Sequence, residues 1–392
     1  MCRGPPSLGP RRALAFRQVV LAMAVLAACA PRATRRLAGL AAPASVSWSS
    51  AFVPARPRIL QQVFQSVARG SSRALSGSAG SPLKVAVLQD QQIPKNEAIS
   101  ALQGEGFEVS WALDAPSDAW ALVTVTTPVT EAVLDRHPAC KLVAVSFTGF
   151  NHVDLEACKK RGIAVVNVPA YSTDSVAELS VGLALSVYRE IPAAERTLRA
   201  GGWAHSAGGM ELRGKVIGIV GLGDIGMRTA ELFRAFGPSE LLGWSRSPKP
   251  AFSAAPLSGK QVPIEEIFER ADIVSLHVAL NAETQGIIGR SLLERLRPEA
   301  VLINVARGGV CDQNALADLL CQRKFRAGLD VFATEPIPVN DPILKVPADQ
   351  AVLIPHVAYK TVEALRRRMA ITAQNLRLFA DGKPRNVVLK SE

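Results

Sequence analysis

The segment VIGIVGLGDIGMRTAELFRAFG (216–237) constrains the fold of this chain more than any other stretch. It consists of a short branched apolar run, a glycine-rich turn and a segment with apolar residues at helical spacing. Gly221 permits a sharp turn, Gly223 leaves the backbone bare where a pyrophosphate must approach, and Gly226 permits close packing of the helix on the strand. The pattern predicts a dinucleotide-binding strand–turn–helix unit, with a bare structural turn as the alternative.

Apolar strand candidates alternate with helical segments on both sides of this unit. An apolar helix is predicted from about Ser175 to Val187 and another helix over 312–322. The alternation predicts the α/β class with two doubly wound parallel sheets, and the single glycine loop makes them two different domains. The strand candidates are LKVAVLQ, FEVSWAL, AWALVTV and LVAVSF before the loop, and LLGWS, ADIVSLHV, AVLINVA, RAGLDVF and AVLIP after it.

The basic net charge lies in the first part of the chain. Residues 1–89 contain no Asp or Glu but eleven arginines, a number equal to the formal net charge of +11. Without these eleven arginines, the rest of the chain is neutral overall. A neutral body lacks the electrostatic footprint that nucleic acid requires, so no nucleic-acid partner is expected.

Residues 1–81 have the composition of a targeting presequence. The apolar run Val19–Ala30 is too short to cross a bilayer and fits a signal-peptide core, and 31–81 is rich in Ala, Ser and Arg. This order resembles bipartite plastid presequences, in which Phe52 would be the early aromatic. Helical apolar spacing over 59–67 favours a mitochondrial presequence instead, and secretion or an uncleaved anchor is a third possibility. A plastid location without stable membrane association after processing is the first expectation.

The cysteines show no metal or disulfide spacing. Beyond Cys2 and Cys29 of the presequence, they lack CxxC and Cys/His patterns. No metal site is expected, and the four are predicted to be reduced packing residues: Cys140, Cys158, Cys311 and Cys321.

The end of the second strand bears on cofactor choice. An NAD-binding unit places Asp or Glu there to bond the ribose hydroxyls. In GWSRSPK the position is Ser245, followed by Arg246 and, nearby, Lys249. A hydroxyl and a guanidinium can bind a 2′-phosphate that a carboxylate would repel, which favours NADP(H). The alternative is that these are solvated loop charges and that NAD(H) is accepted as well.

Six motifs follow one another in order over essentially all of 83–392: TGFNHVDLEACKKRGIAVVNVPAYSTDSVAELSVGLAL, GLGDIG, SLHVALNAETQGIIG, LINVARGGV, GLDVFATEP and IPHVAYKTVEA. They resemble the D-isomer-specific 2-hydroxyacid dehydrogenases, with the greatest likeness to glyoxylate/hydroxypyruvate reductases. The resemblance implies a discontinuous flavodoxin-like catalytic domain (83–184 plus 358–392), a Rossmann domain (185–357) and an active-site cleft between them.

The resemblance assigns chemistry to three residues that follow apolar strands. Arg307 would hold the substrate carboxylate and polarise the ketone, and His356 would protonate the carbonyl oxygen. Glu335 would orient the imidazole and favour its protonated form. A surface ion pair, a structural histidine and a capping carboxylate are the respective structural alternatives. The cofactor residues implied are Gly221, Gly223, Asp224, Ile225, Gly226, Ser245, Arg246, His277, Ala306 and Asp330.

Substrate contacts are expected from the loop SFTGFN. Main-chain N–H groups at Thr148 and Gly149 would receive the carboxylate as an anion nest. The alternative is that Gly149 only permits a turn. The chain departs from the family pattern at Ala279, where relatives usually have Pro, at Cys311, where an aliphatic residue is common, and at Lys360. An added cation at 360 could attract a second acidic group of the substrate.

The sequence thus predicts an organellar, NADPH-dependent reductase of hydroxypyruvate and glyoxylate. Phosphoglycerate and D-lactate dehydrogenases of the same family are the alternative enzymes. A nucleotide-sensing corepressor is the alternative from another class, and the presequence argues against it. Relatives are usually homodimers, so the helix 175–187 with the loop 199–210 is either a dimer interface or an internal core element.

Overall fold

The structure is a computed structural model that describes residues 81–88, 95–111, 118–203 and 208–390. The predicted targeting segment, including its apolar run, lies outside the described residues and stays a prediction. Within the described ranges, no helix combines the length and apolar character that crossing a membrane requires.

The first sheet is built from both ends of the described chain. Its strand order is β13-β5-β4-β3-β1-β2, whose β2-β1-β3-β4-β5 part is the flavodoxin-like order. These five strands are parallel, whereas β13 pairs antiparallel with β5 through Val387 and Val166. The strands are β1 (Lys84–Val87), β2 (Glu108–Trp111), β3 (Ala121–Thr124), β4 (Leu142–Val145), β5 (Ala164–Val166) and β13 (Val387–Leu389).

The second sheet is parallel throughout and has the order β8-β7-β6-β9-β10-β11-β12. The first six strands in this order follow the Rossmann order, in which the strand sequence reverses between β6 and β9, and β12 adds a seventh strand at one edge. The strands are β6 (Val216–Val220), β7 (Glu240–Trp244), β8 (Lys260–Gln261), β9 (Ile273–Leu276), β10 (Val301–Asn304), β11 (Arg326–Leu329) and β12 (Ala351–Leu353). The predicted fold class is confirmed.

Helices connect the strands and cover the sheets. Short 3₁₀ helices occupy Gly308–Val310 and Pro342–Lys345. The α-helices are α1 (Lys95–Gly104), α2 (Glu131–Asp135), α3 (Leu155–Lys160), α4 (Thr173–Tyr188), α5 (Ile191–Arg199), α6 (Asp224–Arg234), α7 (Pro250–Ser253), α8 (Ile264–Arg270), α9 (Arg290–Leu293), α10 (Gln313–Cys321) and α11 (Val362–Ala380).

Helix α4 is the apolar helix predicted from the sequence, and it lies in the core. Val181, Leu183 and Val187 are buried among the strands of the second sheet. The fit is close, because a Cβ added to Gly328 of β11 would stand 2.9 Å from the Leu183 side chain. The buried face of the helix is therefore a core element of this chain, and the dimer interface named as the alternative stays a prediction.

Helix α11 returns the chain to the first sheet. Met369, Ala373 and Leu376 are buried against strands β1, β3 and β4 in one apolar cluster. The Thr361 hydroxyl caps this helix and lies 2.8 Å from Ser175 Oγ, near the start of α4. The two crossings between the sheets, α4 and the segment before α11, are thus joined to each other.

Candidate active site

The glycine loop has the geometry that a pyrophosphate site needs. Gly221 has φ +102, and a Cβ there would lie 2.7 Å from the backbone of His277. A Cβ on Gly226 would lie 1.9 Å from the Gly221 carbonyl oxygen, so helix α6 could not approach the strand with any side chain there. At Gly223 a Cβ would meet no atom within 4 Å. The loop is packed tightly on its protein side and open on the side where a ligand would lie.

A dinucleotide fits this loop. Gly223 and Asp224 are exposed at the N-terminus of α6, where unpaired N–H groups favour phosphate, and Ile225 is half-buried behind them. His277, after β9, shares a hydrogen bond of 2.9 Å between its Nε2 and Ser275 Oγ, and its Nδ1 is buried without a partner among the described residues. Burial lowers the pKa of His277 to about 3. The ring is therefore neutral and has a free polar atom at the strand-reversal crevice.

The loop after β7 is preformed by Gln261 of β8. The Ser245 hydroxyl donates to the Ser247 carbonyl at 2.6 Å and accepts from Gln261 Nε2 at 3.1 Å. Gln261 Oε1 accepts the Lys249 N–H at 2.6 Å. Arg246, 75% exposed, forms an ion pair of 2.7 Å with Glu283, which is 69% exposed. The predicted selectivity residues thus stand together, and Arg246 has an acidic partner that the sequence did not indicate.

Arg307 is presented by a turn that Asn304 organises. Asn304, 1% exposed at the end of β10, accepts the Ala306 N–H at 3.1 Å and donates to the Arg307 carbonyl at 3.2 Å. Arg307 Nη1 donates to the Ala306 carbonyl at 2.7 Å. Gly308 must lack a side chain, since its Cβ would lie 1.9 Å from the backbone of Phe332. The guanidinium is therefore held at the carboxyl edge of the sheet, half-buried.

Glu335 and His356 form a hydrogen-bonded pair. Glu335 Oε2 lies 2.6 Å from His356 Nδ1, and Oε1 accepts the Phe332 N–H at 2.9 Å. Burial tends to raise the pKa of Glu335, but the hydrogen bonds from His356 and Phe332 and the charges of His356 and Arg307 outweigh it and leave the pKa below its ordinary value. The carboxylate is thus stabilised as an anion, and it fixes the imidazole with Nε2 as the nitrogen left for a substrate.

Asp330 supports the turn that carries His356. Its side chain is fully buried after β11, and its oxygens accept the N–H groups of Val357 at 2.7 Å and Ala358 at 3.1 Å. Burial raises the pKa of Asp330, and these hydrogen bonds partly offset the rise. His356 has φ +48, a left-handed conformation that costs free energy in a residue other than glycine. The carboxylate holds this strained turn, while the predicted cofactor contact of Asp330 stays a prediction.

The loop SFTGFN approaches Arg307 from the first sheet. A Cβ on Gly149 would lie 3.1 Å from Arg307 Nη2. The Thr148 hydroxyl donates to the Val168 carbonyl at 3.0 Å, and Asn167 Nδ2 donates to the Thr148 carbonyl at 2.8 Å. The side chain and carbonyl of Thr148 are thus occupied by protein partners. Binding of an anion here would rest on main-chain N–H groups, as the sequence predicts.

An aromatic cluster that the sequence analysis missed lies beside His356. Tyr359 meets the His356 ring edge-on at 5.7 Å and the Phe147 ring at 5.3 Å. Tyr171 lies 6.1 Å from Phe147 and 6.5 Å from Tyr359. Tyr359 and Tyr171 are buried, whereas Phe147 is half-exposed. These aromatic residues are visible in the sequence next to the motifs, but only the fold shows that their rings contact one another.

Asn304 was missed as well, although a buried amide at the end of an apolar strand is an informative feature. At the positions that depart from the family pattern, Lys360 is exposed, and Cys311 is buried with its Sγ 3.8 Å from Asn304 Nδ2. The carbonyl of Ala279 accepts the Thr284 hydroxyl at 2.6 Å. Ala279 thus lies in a structured turn of the loop after β9.

The four cysteines of the described residues are free. Cys140, Cys158 and Cys311 are buried, and Cys321 is exposed. Burial raises the pKa of Cys140 and Cys158 to about 11 and that of Cys311 to about 12, so these thiols stay protonated and unreactive. Over the described ranges, no group of three or more His, Cys, Asp or Glu side chains is placed to hold a metal ion.

Comparison with known proteins finds a matching family and related sequences. Residues 181–358 match the family described as "D-isomer specific 2-hydroxyacid dehydrogenase, NAD binding domain". The glyoxylate reductase of Thermococcus litoralis is 38% identical over 281 residues, which are 69% of this chain and 83% of that protein. Glyoxylate reductases are thus relatives over most of their length.

Two further relatives differ in size or activity. The D-3-phosphoglycerate dehydrogenase of Mycobacterium tuberculosis is 36% identical over 312 residues, 77% of this chain. The chain spans 58% of the length of that relative. The apo structure of D-lactate dehydrogenase from Escherichia coli superposes with a TM-score of 0.71 at 26% identity, covering 78% of this chain and all of that one.

Proposed function

The chain belongs to the D-isomer-specific 2-hydroxyacid dehydrogenases, and from that premise we propose that it reduces small 2-oxo acids with NADPH. The reactions are hydroxypyruvate to D-glycerate and glyoxylate to glycolate. The observation that carries the proposal is the Glu335–His356 pair beside Arg307 at the carboxyl edge of the sheet that bears the glycine loop. Acid, orienting carboxylate and carboxylate-binding cation stand where parallel α/β sheets bind ligands.

Proton transfer is the task of His356. Reduction of the ketone adds a hydride to the carbonyl carbon and a proton to the oxygen, and a bound nicotinamide supplies the hydride. His356 donates its Nε2 proton to the oxygen and regains one from solvent, while Glu335 stays ionised on Nδ1. Because Glu335 is also bound to the Phe332 N–H, it keeps the imidazole in one orientation.

Substrate anchoring is the task of Arg307 and the SFTGFN loop. The carboxylate of the 2-oxo acid lies between the Arg307 guanidinium and the main-chain N–H groups of Thr148 and Gly149. The approach of Gly149 to Arg307 supports this, because a Cβ on Gly149 would lie 3.1 Å from Arg307 Nη2 and the loop backbone therefore lies next to the guanidinium. The positive charge also polarises the carbonyl in the transition state.

The NADPH preference rests on the end of β7. Ser245 replaces the acidic residue of NAD-binding units, and Arg246 is exposed and close by. Gln261 holds the loop in one shape through Ser245 and Lys249, which supports a preformed phosphate site. NADH is the secondary cofactor, because nothing in the loop repels unmodified ribose hydroxyls.

Phosphohydroxypyruvate and pyruvate are the competing substrates, since phosphoglycerate and D-lactate dehydrogenases are relatives. Lys360 is exposed four residues after His356, which favours a substrate with a second anionic group. The buried aromatic rings beside His356 favour a small or apolar substituent. The rate comparison below separates these possibilities.

A homodimer is the proposed assembly. Helix α5 has no buried residue, and its Ile191 and Leu198 are 52% and 60% exposed. Trp203, shortly after it, is 91% exposed. Such a group of large apolar side chains is typical of an interface. We expect light scattering to give the mass of two chains, and Trp203→Ser to shift it toward one; a monomeric wild type contradicts the assembly.

Plastid import is the proposed route to the site of action, with a mitochondrion as the alternative. The arginine-rich, acid-free segment 1–81 supports import. A fluorescent reporter fused to residues 1–81 should enter plastids of an alga with secondary plastids. Cytosolic fluorescence would overturn the proposal, and mitochondrial fluorescence would favour the alternative.

Initial rates test the catalytic proposal. Hydroxypyruvate, glyoxylate, pyruvate and phosphohydroxypyruvate are compared with NADPH and with NADH, using wild type, His356→Gln and the control Arg290→Gln, which changes an exposed ion pair. We expect NADPH-linked reduction of hydroxypyruvate to fall by at least 10²-fold in His356→Gln and to persist in Arg290→Gln. Cofactor binding without reduction of any of the four acids would contradict the proposal and favour a nucleotide sensor.

A further inference from the structure

The ion pair between Arg246 and Glu283 lies across the proposed cofactor site. Arg246 follows β7, Glu283 belongs to the loop after β9, and these two strands flank β6 in the sheet. The Nη1–Oε2 distance is 2.7 Å, so the pair joins the loops on both sides of the strand that carries the glycine turn. The adenosine half of a dinucleotide lies outside the carboxyl ends of these strands. The pair therefore stands where the adenosine ribose must be received.

The backbone holds Glu283 in place. Asn281 Oδ1 accepts the N–H groups of Glu283 at 2.9 Å and of Thr284 at 3.1 Å. The Thr284 hydroxyl accepts the Asn281 N–H at 2.8 Å and donates to the Ala279 carbonyl at 2.6 Å. The turn is closed on itself by four hydrogen bonds. The backbone position of Glu283 is thus set by its own loop, and from there its carboxylate reaches Arg246.

On the other side of the site, Arg246 lies in a loop held by Gln261. Hydrogen bonds hold the backbones of both loops, and the two exposed side chains meet between them. A 2′-phosphate that binds Arg246 must displace the carboxylate from the guanidinium and then remain close to that negative charge. An unmodified ribose carries no charge and meets neither cost.

Resting on the proposed function, we propose that Glu283 determines cofactor selectivity by competing with the 2′-phosphate of NADPH for Arg246. Glu283 lowers the affinity for NADPH and leaves that for NADH nearly unchanged. The enzyme thereby keeps access to both cofactors, although Ser245 and Arg246 by themselves favour NADPH. Selectivity thus depends on a residue of the loop after β9 as well as on the end of β7.

Direct binding measurements on Glu283→Gln test this. The probes are NADPH, NADH and adenosine 2′,5′-bisphosphate, titrated by fluorescence or calorimetry without a 2-oxo acid. We expect the NADPH dissociation constant to fall about threefold to fivefold and that of NADH to change by less than about 1.5-fold, as suits an exposed pair. The dissociation constant of adenosine 2′,5′-bisphosphate should fall by a factor similar to that of NADPH. Both increases in affinity should become smaller as ionic strength rises.

Two further variants make the result specific. Arg246→Gln should weaken NADPH binding at least tenfold. Adding Glu283→Gln to Arg246→Gln should increase NADPH affinity by a smaller factor than Glu283→Gln does in the wild type. The matched control is Glu294→Gln, which removes an exposed carboxylate paired with Arg290 away from the cofactor loops and should leave both dissociation constants unchanged. Thermal melting confirms that each variant is folded.

The inference is overturned if Glu283→Gln leaves the ratio of NADPH to NADH affinity unchanged, whether both affinities stay the same or both rise equally. It is also overturned if Arg246→Gln retains full NADPH affinity. In each of these cases the enzyme still binds nicotinamide cofactors and the proposed reduction of 2-oxo acids stands. Full retention of NADPH affinity in Arg246→Gln would in addition remove Arg246 from the argument for NADPH preference. Absence of binding for both cofactors in the wild type is a different result, which contradicts the proposed function and this inference together.

Discussion

Gly149→Ala tests whether the SFTGFN loop and Arg307 form one substrate site. The added Cβ would stand 3.1 Å from Arg307 Nη2 and 3.8 Å from Phe147 Cδ1. The guanidinium, the far end of a flexible side chain, must then shift by a few tenths of an ångström. Misplacement by about 1 Å costs about 10²-fold in rate, so we expect kcat/KM for hydroxypyruvate to fall about tenfold, or about 1.4 kcal/mol.

We expect the Gly149→Ala variant to lose activity while its free energy of unfolding stays nearly unchanged. Gly149 has no positive φ, so alanine fits its backbone, and the smaller entropy of the unfolded chain offsets the local crowding to within about 1 kcal/mol. Gly104→Ala is the matched control, because a Cβ there would meet nothing within 4 Å. The assay is steady-state kinetics with NADPH binding and urea unfolding measured in parallel. A kcat/KM within twofold of the control, with both proteins folded, would refute the shared site.

Three further variants test the support of the site. Asp330→Asn should lower the free energy of unfolding by about 1–3 kcal/mol in urea titrations, because its amide would face a Val357 or Ala358 N–H; an unchanged midpoint would contradict this. Asn304→Ala should raise the KM for the 2-oxo acid about tenfold without changing NADPH affinity, and an unchanged KM would show that the turn forms without it. The folded pKa of Glu335 lies below 4.5, so the stability that its carboxylate contributes is present above that value and is lost as pH falls through the folded pKa. The difference in free energy of unfolding between wild type and Glu335→Gln should therefore disappear in acid. A difference that stays constant with pH would contradict this.

Local patterns account for what the sequence predicted correctly. The strand, turn and helix around Gly221 are adjacent in the chain, and the structure shows a steric reason for Gly221 and Gly226. The role of Gly223 stays a prediction. The helix at 175–187 shows as a mostly apolar segment because much of it is buried. Both features are encoded within about twenty residues, so they are readable without knowledge of the fold.

Features formed by residues far apart in the chain were not predicted from the sequence. Strand β13 has three residues and pairs antiparallel with β5, more than two hundred positions earlier, so no periodicity indicates it. Glu283 looks like an ordinary loop carboxylate, and only the placement of β7 and β9 on either side of β6 brings it to Arg246. The aromatic contact of Tyr359 with His356 likewise depends on a turn with φ +48, which the sequence does not announce.

The placement of the central residues follows from the sheet, with one exception. Strands β10, β11 and β12 are parallel neighbours, so the residues just beyond them, Arg307, Asp330 and His356, must stand side by side at one edge. Glu335 lies six residues past β11, too far for the strand to fix it. Its Oε1 instead accepts the Phe332 N–H of its own loop, which leaves Oε2 directed at His356. The strands therefore set where the proton donor stands, and a single main-chain hydrogen bond sets how its carboxylate partner meets it.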